Sequence, residues 1–541
     1  MINFDALTLK LFVEENKDFF LGAKLQKIQQ PSRYELIFSL RNNRETKKLY
    51  LNFNPNFYHT CFMEEETEKL RNISIPKTAP MFCMLLRKYI QNGTIINIEV
   101  PKGERILELY FEYFDEMNEK SLICLAIELM GKYSNVILYN YDTNVIIGCA
   151  HNVSSEKSRE RELSGLLPYV YPKKQNRKDL LKVNLDSFLN AIDKENIEES
   201  IGTRYYFLTI NTVKELRKSA CSLEELYKNL KTFLSQKNFS YYVSNDFSKY
   251  FLFEFPNAFK CNNLSELIDK YYSHQQNKYT VKNLKQKIIR QINAQLKKAL
   301  SLKVKQEEQI NKLNKAIEYK NKGDILMANL YALKNANKKV KLYSFTGEEI
   351  EIELDENLSV TENANKYYNL YKKTKTAHNH AKEMIENTNS EILYLEEQKF
   401  YAEQTSNTEE LKEIYSEITN EKEDITKSKE IKTDFIEYQG YKIYIGKNKK
   451  QNDYILSKIA SGEDFWFHPL NAAGAHILVK TTNKENLPDN VILKAAEITK
   501  EFSSQKNNSK TSIIYTKRKY VKKATNKIAF VTYKNETEVI V

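Results

Sequence analysis

The sequence predicts an α+β multidomain protein with an N-terminal α/β domain, a helical middle domain, a long antiparallel coiled-coil hairpin and a C-terminal α/β domain. Three observations predict this class. The chain has 541 residues, too many for one ordinary core, so three or four domains are expected. Apolar residues recur at steps of three and four through the third quarter, whereas strand-like alternation marks both ends. Glycine (13) and proline (10) are scarce, which favours extended helices.

The first predicted domain, residues 1–172, mixes strands and helices. Apolar alternation in KLQKIQQPSRYELIFSLR predicts a pair of strands, and PMFCMLLRKYIQNG predicts a short buried helix that ends at Gly93. IINIEV, RILELYFEYF and NVILYNY predict further strands. The domain is expected to end at LLPYVYP, because Pro168 and Pro172 interrupt regular structure there.

Residues 173–261 form the predicted helical middle domain, from LDSFLNAIDKENIEESIG to NTVKELRKSACSLEELYKNLKTFL, with one strand at SKYFLFEF. Residues 262–430 then show the seam of a coiled coil. The apolar positions are Val281, Leu284, Ile288, Ile292, Leu296, Ile310, Leu313 and Ile317, followed by Ala377, Ala381, Met384, Ile392 and Leu395. This apolar pattern is interrupted by the segment KLYSFTGEEIEIELDENLS, so two antiparallel helices are predicted, each spanning roughly 65 Å.

Strand patterns return in residues 433–541. FIEYQGYKIYIGKN predicts a hairpin, AHILVK, TSIIYT and KIAFVTY predict strands, and PDNVILKAAEITKEFSS predicts a helix. This domain has 18 Lys and Arg against 11 Asp and Glu, a net of +7 out of +12 for the whole chain. Such a concentration of positive charge indicates a polyanion partner, most often nucleic acid. The alternative is that the charge serves solubility alone.

Metal, cofactor and membrane functions are not indicated. The six cysteines are widely spaced without a C-x-x-C pair, and the spacing of Asp464, His468 and His476 matches no usual metal-ligand pattern, so neither a metal nor a cofactor is expected. The N-terminal segment MINFDALTLKLFVEEN is not typical of a signal peptide, and no apolar run is long enough to cross a membrane. A cytoplasmic location is therefore expected.

The segment GKNKKQNDYILSKIASGEDFWFHPLNAAGAHILVK, residues 446–480, contains the single tryptophan and two of the seven histidines. Gly446 permits a turn from which Lys447, Lys449 and Lys450 are expected to point at solvent and form a phosphate cradle with backbone amides. Trp466, Phe467 and His468 offer flat rings that could stack on unpaired bases. The alternative, equally compatible with these residue types, places Trp466 in the core and leaves the lysines merely solvated.

A second basic segment is SKTSIIYTKRKYVKKATNK, residues 509–527, with seven basic residues and no acidic one. Tyr515 and Tyr520 are interleaved with its charges. This composition predicts a strand and loop that face RNA, and the alternative is an ordinary solvated charge run. The residues predicted to bind RNA here are Lys517, Arg518, Lys519, Lys522 and Lys523.

In its order and spacing, the 446–480 segment resembles the RNA-binding signature of the NFACT family. The matching residues are Gly446, Asn448, Gln451, Asn452 and Asp453, then Asp464, Trp466 and His468, then Gly474, Ala475 and His476. Two segments are similar to hallmarks of the family's N-terminal domain, namely PMFCMLLRKYIQNG and ELMGKYSNVILYN. Two others are similar to signatures of its coiled coil, namely GDILMANLYAL and LSVTENANKYYNLYKK. The resemblance covers essentially the whole chain and is to the RqcH-type, ribosome quality-control members of the family.

The resemblance implies a glycosylase-like NFACT-N domain at 1–172, a helix-hairpin-helix-like middle domain at 173–261, a coiled-coil hairpin at 262–430 and an NFACT-R domain at 433–541. It implies binding to a stalled large ribosomal subunit carrying peptidyl-tRNA, contact with ribosomal RNA, and recruitment of alanyl-tRNA for an untemplated alanine tail that marks the nascent chain for degradation. The ribosome performs the peptidyl transfer, so no catalytic residue is expected. A small RNA-binding helper protein is a further implied partner.

The resemblance also implies a tRNA-binding pair, which in the family is Asp-Arg and in this chain is Glu104-Arg105, within VPKGERILELYF. The signature residues implied to bind RNA are Lys447, Asn448, Lys449, Lys450, Asn452, Asp453, Trp466, His468 and His476. The family's middle domain carries a glycine in the turn of its helical hairpin, whereas YYFLTINTVKEL has none.

Three other classes of function compete with this interpretation. One is a cell-surface adhesin that binds fibronectin, a name once given to such proteins, but no export or anchor signal supports it. Another is DNA glycosylase activity, which needs an N-terminal proline nucleophile where this chain has Met1-Ile2. The third is a purely structural coiled-coil scaffold, which leaves the 446–480 segment unexplained.

Overall fold

Helices and sheets alternate along the chain, which confirms the predicted α+β class. This computed structural model describes residues 4–541 except 72, 115–118, 157, 159, 314–315, 332, 334–337, 346, 420–432, 482–485 and 524–530. Within these residues the chain divides into two units, Met1–Tyr279 and Thr280–Val541. The four narrower domains expected from the sequence stay a prediction.

The first unit opens with helix α1, Ala6–Phe20, whose N-terminus is capped by the Asp5 carboxylate. Two antiparallel sheets with two short helices between them follow: β1 Lys24–Ser32, β2 Glu35–Asn42, β3 Glu45–Asn52, β4 His59–Phe62, α2 Glu65–Arg71, α3 Met81–Ile90, β5 Ile95–Glu99, β6 Ile106–Phe114, β7 Lys120–Glu128, β8 Asn135–Asn140 and β9 Val145–Cys149. The predicted strand pair is β1 and β2, with Leu25 opposite Leu40. Leu36, Phe38 and Leu40 of β2 are fully buried.

The middle segment contains four helices and then a small sheet. Its elements are α4 Leu185–Leu189, α5 Ile197–Arg204, α6 Ile210–Arg217, α7 Leu223–Ser235, β10 Tyr241–Ser244, β11 Tyr250–Phe251 and β12 Ala258–Cys261. Helices α5 and α6 form a helical hairpin although their turn lacks glycine, because Phe207 takes the left-handed conformation there (φ 64°). The three-stranded sheet is larger than the single strand predicted.

The predicted antiparallel hairpin is present. Its elements are α8 Leu264–Leu313, which begins in the first unit, then α9 Ala316–Ala328, β13 Lys339–Tyr343, β14 Glu349–Glu353, α10 Val360–Gln404 and α11 Thr408–Thr419. Contacts run in opposite directions along the helices: Lys285 donates to the carbonyl of Glu403, and Thr388 donates to Gln306. The buried Thr388–Gln306 pair favours this register, because a shift would deprive the buried Gln306 oxygen of this donor, whereas the Thr388 hydroxyl also reaches the Met384 carbonyl (2.9 Å).

The predicted seam is only partly correct. Ile288, Ile292 and Leu395 are buried, but Met384 and Ile317 are exposed. An α-helix has 3.6 residues per turn, so positions repeated at an average of 3.5 rotate gradually out of the interface. The sequence pattern alone does not show where along the helix that happens.

The C-terminal domain is a six-stranded sheet with two helices. Its elements are β15 Asp434–Tyr438, β16 Tyr441–Gly446, α12 Lys449–Tyr454, β17 Phe465–Pro469, β18 His476–Val479, α13 Asp489–Glu501, β19 Ser512–Lys517, β20 Lys522–Lys523, β21 Val531–Thr532 and β22 Thr537–Ile540. The sheet order is β15-β16-β18-β17-β19-β22, which places β17 inside the sheet; β20 and β21 form a separate pair. The predicted strand KIAFVTY begins outside the described residues and includes β21.

Candidate nucleic-acid interface

The Glu104–Arg105 pair follows a turn that requires glycine. Gly103 has φ 78°, and a Cβ at this position would lie 2.1 Å from the Tyr206 ring. The Glu104 amide donates to the carbonyl of Pro101 (3.0 Å), and the Arg105 carbonyl accepts from Leu129 (2.8 Å). The backbone therefore fixes both side chains at the point where β6 begins.

Both side chains line a cavity of about 350 Å³ in the first unit. Its walls come from the start of α1, the turn before β6 and the α5–α6 hairpin. The Arg105 guanidinium donates to the Tyr58 hydroxyl (3.0 Å) and lies 5.3 Å from the centre of that ring. These two contacts orient the arginine and leave most of its donors available for a ligand.

The cavity holds charges of both signs at reduced hydration. Burial raises the pKa of Glu104, although the positive charges of Arg105 and Arg177 oppose the shift. Burial likewise raises the pKa of Asp5, which also lines the cavity. The sequence did not point to Arg177 or Asp5, since both are distant from Glu104 along the chain.

In the C-terminal domain, the predicted open turn after Gly446 is the start of helix α12. Asn448 caps this helix, and its side chain accepts from the Gln451 amide (2.8 Å). A Cβ on Gly446 would lie 1.9 Å from the Asn452 side-chain oxygen, so only glycine permits this approach. The G-x-N-x-x-Q-N pattern is thus explained by a capped helix packed against the preceding strand.

Asn452 is buried, and its function is internal. Its amide nitrogen donates to the Tyr401 hydroxyl (2.7 Å), and its oxygen accepts from the His476 backbone (3.3 Å). Tyr401, on α10, donates in turn to the Gly474 carbonyl (2.8 Å). Burial raises the pKa of Tyr401 well above its usual value, so the hydroxyl stays a donor. We call these contacts the Tyr401 joint, made by Tyr401, Asn452, Gly474 and His476.

The prediction that Trp466 stacks on RNA bases is wrong. Trp466 and Phe467 are 0% exposed, because β17 lies inside the sheet and carries side chains into cores on both faces. The indole is parallel to the His468 ring (5.5 Å between centroids, 6° between planes) and edge-on to His476. The core alternative is therefore the correct one for Trp466, and buried His476 is equally unavailable to stack on a base.

Burial also makes the two histidines unsuitable as phosphate-binding cations. It lowers the pKa of His468 to about 4 and that of His476 well below 6.5. Both rings are consequently neutral at pH 7, and their contribution is to packing.

We expect the C-terminal domain to lose stability as the pH falls from about 6.5 to about 4. The pKa of His468 is depressed in the folded state, so the unfolded chain takes up the proton first and protonation favours unfolding. The loss for His468 is about 3 kcal/mol. Urea denaturation followed by the single tryptophan measures it, and the pH slope in this window should be shallower in His468→Gln. An identical slope in both proteins would contradict the assignment.

The three signature lysines form ion pairs and are not free cations. Lys447 pairs with Asp434, Lys449 with Glu417 and Lys450 with Glu413. The Lys449 side chain is 13% exposed, so the prediction that it points at solvent is wrong, whereas Lys447 and Lys450 are about half exposed. Helix α11 has an acidic face formed by Glu410, Glu413 and Glu417, which the lysines alone did not indicate, although the three- and four-residue spacing of the glutamates is a visible signal.

The second basic segment is partly neutralised in the same way. Lys517 and Lys519 both bind Glu463 (2.8 Å each) and hold the pKa of that carboxyl at about 2. Lys523 pairs with Asp453, which connects this segment to the signature.

The remaining two residues of that segment differ from each other. Arg518 donates from Nε and Nη1 to the carbonyls of Leu456 and Val521, so part of its guanidinium supports the fold, and its RNA-binding role stays a prediction. Lys522 is exposed, and the described residues provide it with no ion pair.

The described residues contain neither a membrane-spanning helix nor a metal-binding cluster. None of their helices has the length and apolar character needed to span a membrane. No group of three or more His, Cys, Asp or Glu side chains in the described part of the chain could hold a metal ion.

These domains define the class of the protein. Residues 5–434 match the family described as NFACT N-terminal and middle domains, and residues 433–532 match the NFACT protein RNA binding domain. The chain belongs to the NFACT family.

Full-length relatives share its whole length. It is similar to the Rqc2 homolog RqcH of Bacillus subtilis (strain 168), with 26% identity over 567 residues, covering 100% of this chain and 98% of the relative. It is also similar to the Rqc2 homolog RqcH of Streptococcus pneumoniae serotype 2, with 28% identity over 543 residues, covering 98% of this chain and 96% of the relative. A solved structure titled as the N-terminal of the fibronectin/fibrinogen-binding protein from Streptococcus suis covers 50% of this chain and 99% of its own, with 26% identity and a TM-score of 0.43.

Proposed function

We propose that this protein acts in ribosome-associated quality control as a non-catalytic RNA-binding factor. It binds a stalled large ribosomal subunit that carries peptidyl-tRNA, and it recruits alanyl-tRNA so that the nascent chain gains an untemplated alanine tail and is degraded. The ribosome performs the peptidyl transfer in the cytoplasm, and a small RNA-binding helper protein takes part. The similarity to RqcH relatives along the whole chain supports this proposal.

The observation that carries the tRNA part is the cavity at Glu104 and Arg105. The arginine is oriented by Tyr58 but has no carboxylate partner within 4 Å among the described residues. A guanidinium held in this way can donate two parallel hydrogen bonds to a phosphate or to a guanine edge. Glu104 keeps the negative charge of the family's aspartate and can accept from a base amino group.

The RNA-binding part of the proposal relies on exchange of ion pairs. Half-exposed pairs such as Lys450–Glu413 contribute only about 0–1 kcal/mol each, so an RNA phosphate can replace the carboxylate at little cost. Counterion release from the RNA then favours association. The lysines that we propose bind RNA are Lys447, Lys450, Lys519, Lys522 and Lys523.

Sedimentation with purified ribosomal particles tests the proposal. The protein should migrate with free large subunits that carry peptidyl-tRNA, and much less with intact ribosomes or small subunits. Fractionation of intact cells tests the adhesin alternative in parallel. Absence from the large-subunit fraction, together with recovery at the cell surface, would reject the proposal in favour of adhesion.

We expect Lys522→Gln combined with Lys523→Gln to weaken binding to ribosomal RNA. Each lost phosphate contact should reduce the slope of log affinity against log salt by about 0.7 to 0.9. Lys494→Gln is the matched control, since Lys494 lies in the same domain on α13 and pairs only with Glu497 among the described residues. Filter binding at several salt concentrations measures the effect, and equal slopes in all three proteins would contradict it.

A further inference from the structure

The cavity beside Glu104 contains a second arginine with unsatisfied donors. Arg177 lies in the segment before the middle helices and lines the cavity together with Arg105. Its only hydrogen bond among the described residues is a long one, from Nη1 to the Tyr205 carbonyl (3.5 Å). Its Nε is buried and has no partner in the described part of the chain. A buried charged donor without a protein acceptor is available to an acceptor that enters the cavity.

The charges around Arg177 include a second arginine and two carboxylates. Burial, together with the positive charge of Arg105, lowers the pKa of Arg177. Asp5 and Glu104 line the same cavity, yet neither forms an ion pair with either arginine within the described residues. The Asp5 carboxylate instead accepts from the Thr8 amide at the start of α1 (2.7 Å). Two guanidinium groups therefore share one cavity without a direct counter-ion.

The rest of the wall suits the same ligand. Thr209, Ile210 and Asn211 line the cavity where α6 begins, and the amides of a first helical turn favour negative charge. Phe207 and Ile210 add apolar surface beside these polar groups. A volume of about 350 Å³ is at the lower end of ligand pockets, which suits one nucleotide and excludes a duplex.

We propose that this cavity holds one phosphate group of an unpaired RNA segment, with Arg177 as a second phosphate-binding residue beside Arg105. The inference rests on the proposed function, because that function supplies RNA as the ligand. Two planar guanidinium groups can each donate two hydrogen bonds to phosphate oxygens, a geometry that lysine does not reproduce. The α5–α6 hairpin thus participates in tRNA binding, although its turn lacks the family's glycine.

The test compares Arg177→Gln, Arg177→Lys and Arg217→Gln in binding to deacylated tRNA. Arg177→Gln should lower the affinity at least about tenfold and reduce the salt slope by about 0.7, the value for one single-strand phosphate contact. Arg177→Lys should restore the salt slope but only part of the affinity. Arg217→Gln should bind like the wild type, since Arg217 lies on α6 outside the cavity and pairs with Glu198.

Thermal unfolding separates a ligand-binding residue from a structural one. Arg177→Gln should leave the unfolding temperature nearly unchanged, because Arg105 repels the Arg177 charge while Glu104 and Asp5 attract it. The inference would be overturned if Arg177→Gln unfolds at a lower temperature than the wild type and Arg177→Lys fails to restore the salt slope of tRNA binding. Wild-type affinity in Arg177→Gln would also overturn it, and the proposed function would still stand. If the wild-type protein itself binds neither tRNA nor large subunits, the proposed function fails first.

Discussion

Arg105→Ala should abolish the recovery of tRNA with this protein and leave its binding to the large subunit intact. The side chain is oriented by the Tyr58 hydroxyl and opens into a cavity in the first unit, so its removal takes away a preformed anion-binding group. Hydrogen bonds to charged groups contribute about 1.5–3 kcal/mol each, which corresponds to a loss of about tenfold to 150-fold for one bond. The C-terminal basic residues lie in the other unit and remain unchanged.

Pull-down of tagged protein followed by separate quantification of tRNA and large-subunit RNA measures both effects. Arg217→Gln is the control for a lost surface arginine in the same unit. Loss of both RNAs would show that Arg105 supports the fold or a general RNA surface. Retention of both would show that the tRNA site lies elsewhere.

Trp466→Ala should lower the free energy of unfolding of the C-terminal domain by about 3–5 kcal/mol. The indole is fully buried against His468, His476 and Tyr533, and removal would leave a large cavity inside the sheet. Tyr520→Ala is the matched control, because Tyr520 is an aromatic residue of the same domain with 37% exposure. Urea denaturation followed by circular dichroism measures the difference, which should be large for Trp466→Ala and under about 1 kcal/mol for Tyr520→Ala.

The same tryptophan gives an independent result in the wild-type protein. Because no face of the ring is accessible, saturating RNA should leave its fluorescence emission maximum unchanged, and acrylamide should quench it poorly. Strong quenching by RNA, or a Trp466→Ala variant that keeps its stability but loses RNA binding, would restore the stacking interpretation.

Periodicity was sufficient to predict most of the fold. Strands β1, β2, β6 and β8, helices α3 and α13 and the antiparallel hairpin follow from local patterns of apolar residues, and the structure contains them. Local patterns did not determine which seam residues stay buried. Exposed Met384 and buried Leu395 have the same apolar character, and the difference arises from the angle of each position on the helix.

The candidate site shows the same limit more clearly. Residue types in the 446–480 segment identified the family, but they did not show which side chains face solvent. Asn452 and Trp466 are enclosed because Tyr401 and the neighbouring strands, distant along the chain, cover them. Arg177 was missed for a similar reason, since only folding brings it beside Arg105.

The Tyr401 joint changes the explanation of the NFACT signature in this chain. The polar residues of the signature hold α10 and the C-terminal sheet together. The acidic face of α11 pairs with Lys449 and Lys450, so under the proposed function RNA would have to displace these carboxylates. Binding that depends on this exchange should weaken strongly as salt rises.

Sequencing of the RNA that co-purifies with the protein from its own cells tests the central claim most directly. We expect large-subunit ribosomal RNA together with enriched alanine tRNAs, and loss of those tRNAs alone in Arg105→Ala. Recovery of RNA in proportion to cellular abundance, or of no RNA at all, would contradict it.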